Sequence, residues 1–255
     1  MKRHRSAEAS RAPAPPVEKA ARLRAAINLG NPVLARKSPV DGELAGVSVA
    51  LARELARQTG RDLALLPYDS AGEVVEACRD GAWDVAFLAI DPQRAAEIAF
   101  TQPYVEIEGV FIVAEDTPWR SLEEIDRPGV RIAVGRGAAY DLYLSRALKH
   151  AELVRAPTSA AALRHFVDHR LEAAAGVRQA AEAFAGSHRG LRLIETPFMT
   201  IRQAMAAPAS KVEGLAALQR FLDAAIRSGL VARELATPSV PRRPRATPAG
   251  RRRDD

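Results

Sequence analysis

The chain has 255 residues, of which 47% are hydrophobic and 27% charged, as is ordinary for a globular protein. No apolar stretch approaches the ~20 residues that span a bilayer, and a single cysteine excludes an internal disulfide. The net charge of +6 lies at the ends, because residues 1–24 carry +5 and residues 237–255 carry +4, which leaves −3 for residues 25–236. These basic ends lack interleaved aromatic side chains, so we expect solvated tails rather than nucleic-acid binding.

Hydrophobic periodicity predicts alternating strands and helices between these ends. The first unit comprises strand 23–29, a helix from Val47 to Gly60, strand 63–66, a helix capped by Ser70 with Glu73, and strand 84–90. The last strand is almost continuously apolar, which is typical of a strand covered by helices on both faces. This order predicts a parallel sheet that binds ligands at the carboxyl ends of its strands.

A second α/β unit follows, and a last strand and helix close the pattern. Its predicted strands are 110–114, 131–134, 153–155, 171–175 and 191–194, and its predicted helices begin at Ser121 and cover 138–148, 159–167 and 179–185. Strand 201–206 precedes a helix over 211–227 with an apolar stripe of Leu215, Leu218, Leu222 and Ile226. Two units of this size predict two lobes with a ligand cleft between them. We expect residues 1–21 and 237–255 to be disordered.

Five ordered stretches carry a family resemblance that covers about residues 22–236. They are GELAGVSVALA at 42–52, GAWDVA at 81–86, DPQRAAEIAFTQPY at 91–104, SLEEI at 121–125 and VRIAVGRG at 130–137. In this order and spacing they resemble the bacterial extracellular solute-binding proteins of family 3, the amino-acid-type receptors of ABC importers. The resemblance implies an α/β, two-lobed, periplasmic-binding-protein-like (type 2) fold with two crossover strands. It places lobe 1 at 22–108 and 196–236 and the inserted lobe 2 at 109–195, with crossovers near 105–109 and 196–200.

Arg94 is the leading candidate for ligand binding. By the resemblance it aligns with the arginine that clamps a ligand carboxylate, and a guanidinium presents planar, paired donors that match such a group. The alternative is a surface arginine that pairs with Glu97. Asp91 is a further candidate. Its carboxylate could bind the ammonium of a ligand, or it could be the N-cap of the turn at Pro92.

A glycine-containing turn follows strand 131–134 and opens a helix. Free backbone N–H groups over Gly137, Ala138 and Ala139 would favour an anionic ligand group, although a tight turn explains the pattern equally well. The same turn half-resembles a dinucleotide fingerprint, but Tyr140 occupies the third glycine position, and a lone GxG is weak. Tyr140 itself is a candidate for the pocket wall.

The remaining candidates come from the first strand and from the second lobe. Asn28 and Asn31 follow the first strand, where they either face the cleft or only form a turn. Gln179 is a candidate for the pocket wall. The resemblance places the aspartate that holds a ligand ammonium at Val177, and a buried ammonium without a carboxylate partner is costly. We therefore expect the chain not to bind ordinary α-amino acids through that contact.

The resemblance implies a monomeric solute-binding protein of an ABC-type importer, closing on a small polar, carboxylate-bearing solute, with the importer's permease as partner. We expect no catalytic residue, metal or cofactor. The main alternative is a dehydratase-like enzyme for a prephenate-like substrate, with Glu172 or Glu108 as its acid or base. A cytoplasmic ligand sensor is the third reading. The family implies a periplasmic or extracellular location, but no apolar signal segment is visible, so a cytoplasmic one stays open.

Overall fold

The computed structural model describes residues 21–236, and apart from residue 21 the two predicted tails lie outside this range. Its strands are β1 Leu23–Asn28, β2 Arg36–Lys37, β3 Leu44–Ala45, β4 Leu63–Tyr68, β5 Val85–Ala89, β6 Ile98–Ala114, β7 Arg131–Gly135, β8 Glu152–Ala156, β9 Ala173–Val177, β10 Leu191–Leu193 and β11 Met199–Pro208. Its helices are α1 Val47–Thr59, α2 Ala71–Arg79, α3 Leu122–Ile125, α4 Ala139–Ala147, α5 Ser159–Asp168, α6 Arg178–Ser187, α7 Leu215–Arg227 and α8 Leu230–Ala236. Short 3₁₀ turns cover Arg94–Ala96 and Ala209–Gly214.

Two parallel groups of strands flank an antiparallel centre. The main sheet has the order β4-β1-β5-β11-β6-β9-β7-β8, with β10 paired to β6, while β2 and β3 pair separately. In the first group β1 runs parallel to β4 and β5, and in the second group β7 runs parallel to β8 and β9. Every residue of β5 and β9 is buried, as expected for parallel strands covered on both faces. The predicted parallel strands are therefore confirmed in both units.

The 17-residue strand β6 connects the two groups. Its first part pairs with β11 from Ile98 to Gly109, and its last part pairs with β9 from Gly109 to Val113. The predicted crossover at 105–109 lies inside β6, and the second, at 196–200, leads into β11. The chain therefore passes between the groups along two neighbouring strands. The lobe boundaries at 108/109 and 195/196 stay a prediction.

Local signals placed most helix ends correctly. The side chain of Ser70 accepts a hydrogen bond from the Glu73 N–H at 3.2 Å, and Gly60 ends α1 with a left-handed φ of 64°. The Glu73 carboxylate, however, accepts from the N–H of Asp69 rather than from that of Ser70, so the predicted capping box is shifted by one residue.

The last predicted helix needs two corrections. Residues 211–214 belong to a 3₁₀ turn, so α7 starts at Leu215. Ile226, predicted on the apolar stripe, is 43% exposed. The buried stripe is Leu218, Phe221, Leu222 and Ala225, and this face leaves position 226 at its edge. The pair β2–β3 and helix α8 were not predicted.

A charged cluster lies at the amino-terminal ends of β1 and β5. The Asp84 carboxylate accepts from the Arg24 guanidinium at 2.9 Å, from the Arg24 backbone N–H at 3.0 Å and from Lys211 Nζ at 2.7 Å. Burial raises the pKa of Asp84, but these hydrogen bonds outweigh it and hold that pKa well below its usual range. Asp84 is therefore an ionised link between β5, β1 and the turn before α7.

We expect Asp84→Asn to lower the free energy of unfolding near neutral pH by about 1–3 kcal/mol, because charged donors lose an ionised acceptor. The pKa of Asp84 is lower in the folded than in the unfolded chain, so its stabilisation is complete above the unfolded value of about 3.9 and is lost as pH falls below it. In urea titrations the difference in the free energy of unfolding between wild type and Asp84→Asn should become smaller below pH 4. Asp116→Asn, at an exposed carboxylate, should open no such gap. A gap that stays constant down to pH 3 would contradict this role.

Candidate functional site

A small cavity lies where the carboxyl ends of the two parallel groups face each other. It holds about 30 Å³, little more than the space of one water molecule. Its lining includes six of the nine predicted site residues, namely Asn28, Asn31, Arg94, Ala138, Ala139 and Tyr140. These residues come from the segments after β1, β5 and β7, as the rule for parallel sheets predicts. We call this space the Arg94 cavity.

Arg94 is buried, with 3% of its surface exposed. Its Nη1 donates to the carbonyl of Ala89 at 2.9 Å and its Nη2 donates to the carbonyl of Gly137 at 2.8 Å, whereas Nε has no hydrogen-bond partner among the described residues. Burial lowers the pKa of Arg94 to about 10, so the guanidinium keeps its positive charge at neutral pH. The alternative of a surface pair with Glu97 is wrong, because Glu97 pairs with Arg79 at 2.8 Å.

Asp91 lies outside the lining of this cavity. One of its carboxylate oxygens accepts from the N–H of Gln93 at 2.8 Å, and the other accepts from Arg146 at 2.8 Å. The first bond is the capping role that was the alternative for Asp91. The second bond joins the turn after β5 to α4. Arg146 therefore already pairs with the carboxylate that was a candidate for ligand binding.

The turn between β7 and α4 does not present free backbone donors at its first three positions. The N–H groups of Arg136, Gly137 and Ala138 donate to the carbonyl of Ala156, the carboxylate of Asp141 and the carbonyl of Gly135. Two of the three predicted donors, the N–H groups of Gly137 and Ala138, are therefore already used inside the turn, as the tight-turn alternative has it, and an anion site at Ala139 stays a prediction. Ala138 and Ala139 still line the Arg94 cavity, while the carbonyl of Gly137 binds Arg94.

Gly137 brings this turn against the start of α2. Its φ is +69°, and a Cβ built on it would lie 2.9 Å from the Cα of Gly72. Both features require glycine, because a side chain would be strained in this conformation and would also collide with backbone. Two glycines thus allow the two sides of the cavity to touch through their main chains.

Tyr140 and Ser159 form a polar pair in the lining. The Tyr140 hydroxyl donates to Ser159 Oγ at 2.8 Å, and burial raises the pKa of Tyr140 to about 12, so the phenol keeps its proton. Gln179, in contrast, is exposed on α6 and does not line the cavity, because its position in the first turn of α6 faces solvent.

Several lining residues were missed by sequence reasoning. They are Ser70, Arg136, Ser159, Gln203 and Ile201, together with Val177, which was considered only as a missing aspartate. Ser70 and Ser159 follow the carboxyl ends of β4 and β8, so the parallel-sheet rule offered a signal for both. Gln203 had none, because β11 enters the site only through its pairing with β5 and β6.

A larger pocket of about 420 Å³ adjoins the Arg94 cavity and shares Gly30, Tyr140, Ser159 and Val177 with it. The rest of its wall is mainly small and apolar, namely Leu29, Pro32, Ala160, Leu163, Ala175, Gly176 and Ala180, together with Thr158 and the exposed Asp69. We call this space the apolar pocket. A volume of this order suits a small organic molecule.

The two glutamates that were candidate catalytic groups lie elsewhere. Glu172 accepts two hydrogen bonds from the Arg131 guanidinium, both at 2.9 Å, just before β9 and thus at the amino-terminal end of that strand. Glu108 forms an ion pair with Arg178. Neither lines the Arg94 cavity or the apolar pocket. Within residues 21–236 there is also no group of three potential metal ligands and no helix with the length and apolarity of a membrane span.

Comparison with known proteins identifies the class to which this fold and site correspond. The family model of the bacterial extracellular solute-binding proteins, family 3, matches residues 23–236. The chain belongs to this family. Proteins of this class are typically periplasmic or extracellular, and a solute-binding role follows from membership.

Solved structures confirm the predicted type 2 periplasmic binding protein fold. The chain is 21% identical to a mutant of the arginine-binding protein from T. maritima, with a TM-score of 0.72 over 84% of this chain and 93% of that one. It is 22% identical to a putative binding component of an ABC transporter from Wolinella succinogenes complexed with lysine, with a TM-score of 0.72 over 84% and 93% of the chains. At these identities the likeness concerns the fold alone.

Curated relatives match shorter stretches. Cyclohexadienyl dehydratase from Pseudomonas aeruginosa is 26% identical over 137 residues, which are 52% of this chain and 50% of the enzyme. The virulence sensor protein BvgS from Bordetella pertussis is 27% identical over 124 residues, which are 48% of this chain and 10% of the sensor. The matched stretch thus spans about half the length of the first relative and about a tenth of the second.

Proposed function

We propose that this chain is the solute-binding component of an ABC-type importer and that it closes on a small polar solute whose carboxylate binds Arg94. The carrying observation is the Arg94 guanidinium, a buried cation in the wall of a cavity between two groups of strands, with an Nε that lacks a partner among the described residues. Family membership and the fold of amino-acid-binding neighbours support the binding role.

The electrostatics of the site favour an anion. No ion pair involving Arg94 exists within the described part of the chain, because the nearby carboxylates of Asp91 and Asp141 pair with Arg146 and Arg155. The Asp91 carboxylate lies close enough to raise the pKa of Arg94, but it is hydrogen-bonded to Arg146 and not to Arg94. A ligand carboxylate that accepts directly from the guanidinium would offset part of the cost of burying this charge through charge-assisted hydrogen bonds. Binding energy would therefore concentrate at this contact.

The similarity to cyclohexadienyl dehydratase supports a second candidate function, a dehydratase acting on a prephenate-like acid. An acid bound at Arg94 would be compatible with either function, so the two are distinguished by whether the bound acid is consumed. The positions of Glu108 and Glu172 outside the cavity argue against the catalytic groups first considered.

The test is a thermal-shift screen of the full chain against amino acids, organic acids, polyamines and prephenate-like acids, with every hit checked for turnover. We expect an acid that raises the Tm of the wild type and is recovered unchanged. Its affinity should fall about 100-fold in Arg94→Met, because two hydrogen bonds to a charged donor are lost.

Arg79→Met is the matched control, since it removes an exposed arginine that pairs with Glu97 away from the cavity, and it should bind like the wild type. Circular dichroism of each variant verifies its fold. Equal affinities of Arg94→Met and wild type would remove Arg94 from the site, and consumption of the acid would favour the dehydratase.

A further inference from the structure

Two asparagines in the wall of the Arg94 cavity use their acceptors internally. Asn28 Oδ1 accepts the N–H of Gly30 at 2.9 Å, and Asn31 Oδ1 accepts the N–H of Val33 at 3.2 Å. Their exposed fractions are 9% and 5%, and neither amide nitrogen has a protein acceptor in the described range. Each asparagine therefore offers its N–H₂ group to the cavity as a donor.

The hydroxyl groups of the lining show the same bias. Ser159 Oγ accepts from Tyr140, whose phenol stays protonated, and Ser70 Oγ accepts from the N–H of Glu73. Since a serine hydroxyl that already accepts still carries its own hydrogen, both groups are left with a donor for a ligand. Together with Arg94 Nε, five polar side chains of the wall therefore have a free donor, whereas each of the four asparagine and serine oxygens has already used one of its two acceptor sites.

Acceptors suited to an ammonium are scarce in this wall. None of the residues that line the Arg94 cavity is an aspartate or a glutamate, and at its junction with the apolar pocket stands the aliphatic side chain of Val177, which is 8% exposed. The one carboxylate in the lining of the apolar pocket, that of Asp69, is exposed and does not line the Arg94 cavity. The amide of Gln203 is a neutral acceptor only. A protonated amine here would lose water and face Arg94 without a carboxylate, which is costly.

The volumes indicate how a ligand would lie. The Arg94 cavity, at about 30 Å³, leaves room for one small polar group beside the guanidinium, whereas the apolar pocket has about 420 Å³, so most of a ligand would lie in the larger space. The Tyr140–Ser159 pair lies at their junction, since both residues line both spaces. An oxygen next to the carboxylate would reach the Ser159 hydroxyl at this junction, and an apolar body would contact the aliphatic side chains of the pocket beyond.

We propose that the ligand is a small carboxylic acid with a hydroxyl or keto oxygen, and not an ammonium, on the carbon next to the carboxylate, and with an apolar body in the apolar pocket. This inference rests on the proposed carboxylate contact at Arg94. It names the class of solute and assigns Tyr140, Ser159 and Val177 as the residues that select it.

Three matched acids test the class by isothermal titration calorimetry with the full chain: L-leucine, 2-hydroxy-4-methylpentanoate and 4-methyl-2-oxopentanoate. They share one carbon skeleton and differ only in the group beside the carboxylate. L-phenylalanine, phenyllactate and phenylpyruvate repeat the comparison with a larger body. We expect the hydroxy or keto acid of at least one series to bind at least tenfold more tightly than its amino acid.

The outcomes separate this inference from the proposed function. If an amino acid binds as tightly as its partners and loses affinity in Arg94→Met, the carboxylate contact stands and the inference is overturned. If the acids bind equally to wild type and Arg94→Met, the proposed contact itself fails. Absence of binding by all six acids would overturn the inference as well.

Val177→Asp supplies a second, independent measurement, with the isosteric Val177→Asn as its control. Both variants add a polar group at the N-cap of α6, but only the aspartate adds a negative charge beside Arg94. Relative to Val177→Asn, we expect Val177→Asp to bind the hydroxy or keto acid at least tenfold more weakly. We expect the same variant to bind the matching amino acid more tightly than Val177→Asn does. Equal affinities in the two variants would contradict a role for charge at this position.

Discussion

Gly137→Ala should weaken binding of the best acid from the screen at least tenfold. The added Cβ would lie 2.9 Å from the Cα and 3.3 Å from the N of Gly72, and both atoms are backbone atoms that cannot rotate away. The turn after β7 must then move away from α2. This shift displaces the carbonyl of Gly137, which accepts a hydrogen bond from Arg94. Titration calorimetry gives the loss of affinity.

Gly81→Ala is the matched control for backbone strain. Gly81 has a φ of +62°, close to the +69° of Gly137, but a Cβ built on it meets nothing within 4 Å. Gly81→Ala should lose about 1–2 kcal/mol of stability, because an alanine is strained in the left-handed region. Gly137→Ala should lose more than Gly81→Ala, because its Cβ also collides with the backbone of Gly72. Only Gly137→Ala should lose affinity. Equal affinities of the two variants would show that the approach to Gly72 is not needed for binding.

Trp83→Ala should lower the free energy of unfolding by about 3–5 kcal/mol, the range observed when a large buried aromatic is removed. Trp83 is fully buried among Val74, Cys78, Leu88 and Ile98. Its indole N–H also donates to the carbonyl of Val74 at 2.8 Å. The side chain thus fixes α2 to the sheet, and α2 carries Ser70 and Gly72 at its cavity end.

The other tryptophan of the chain provides the comparison. Trp119 is only partly buried, so Trp119→Ala leaves a smaller cavity and should cost less than half as much. Urea titrations with an unchanged m-value would measure both losses for a two-state transition. Similar losses at the two positions would show that α2 is not anchored by Trp83.

The order of elements was accessible from the sequence because it rests on local chemistry. Alternating apolar runs predicted β1, β4 and β5 with α1 and α2 between them, and Ser70 and Gly60 marked helix ends by the bonds that such residues make with neighbouring backbone. The same logic placed Asn28 at the carboxyl end of a strand, and Asn31 and Arg94 after such ends, where the strands meet. These residues do line one cavity.

Features that depend on distant partners were not accessible in this way. Asp91 had a local role as a cap, but its pairing with Arg146 exists only because α4 packs beside the turn after β5. Of the free N–H groups expected at 137–139, those of Gly137 and Ala138 were already used by Asp141 and Gly135, and the preceding N–H of Arg136 donates to Ala156, 20 residues away. Ile226 fitted a helical stripe, yet the packing of α7 left it in solvent.

By itself the sequence determined the α/β alternation and the family, and it singled out Arg94, to which we assign the proposed ligand contact, because strand and helix periods and short motifs are formed by neighbouring residues. Only the tertiary structure decided which hydrogen bonds were already taken and which remained for a ligand. Tertiary packing places Gln203 in the wall of the Arg94 cavity. Backbone N–H groups already bond to the side-chain oxygens of Asn28 and Asn31, so the cavity is rich in free donors. The arrangement of the wall follows from contacts between segments far apart in the chain, which no local pattern encodes.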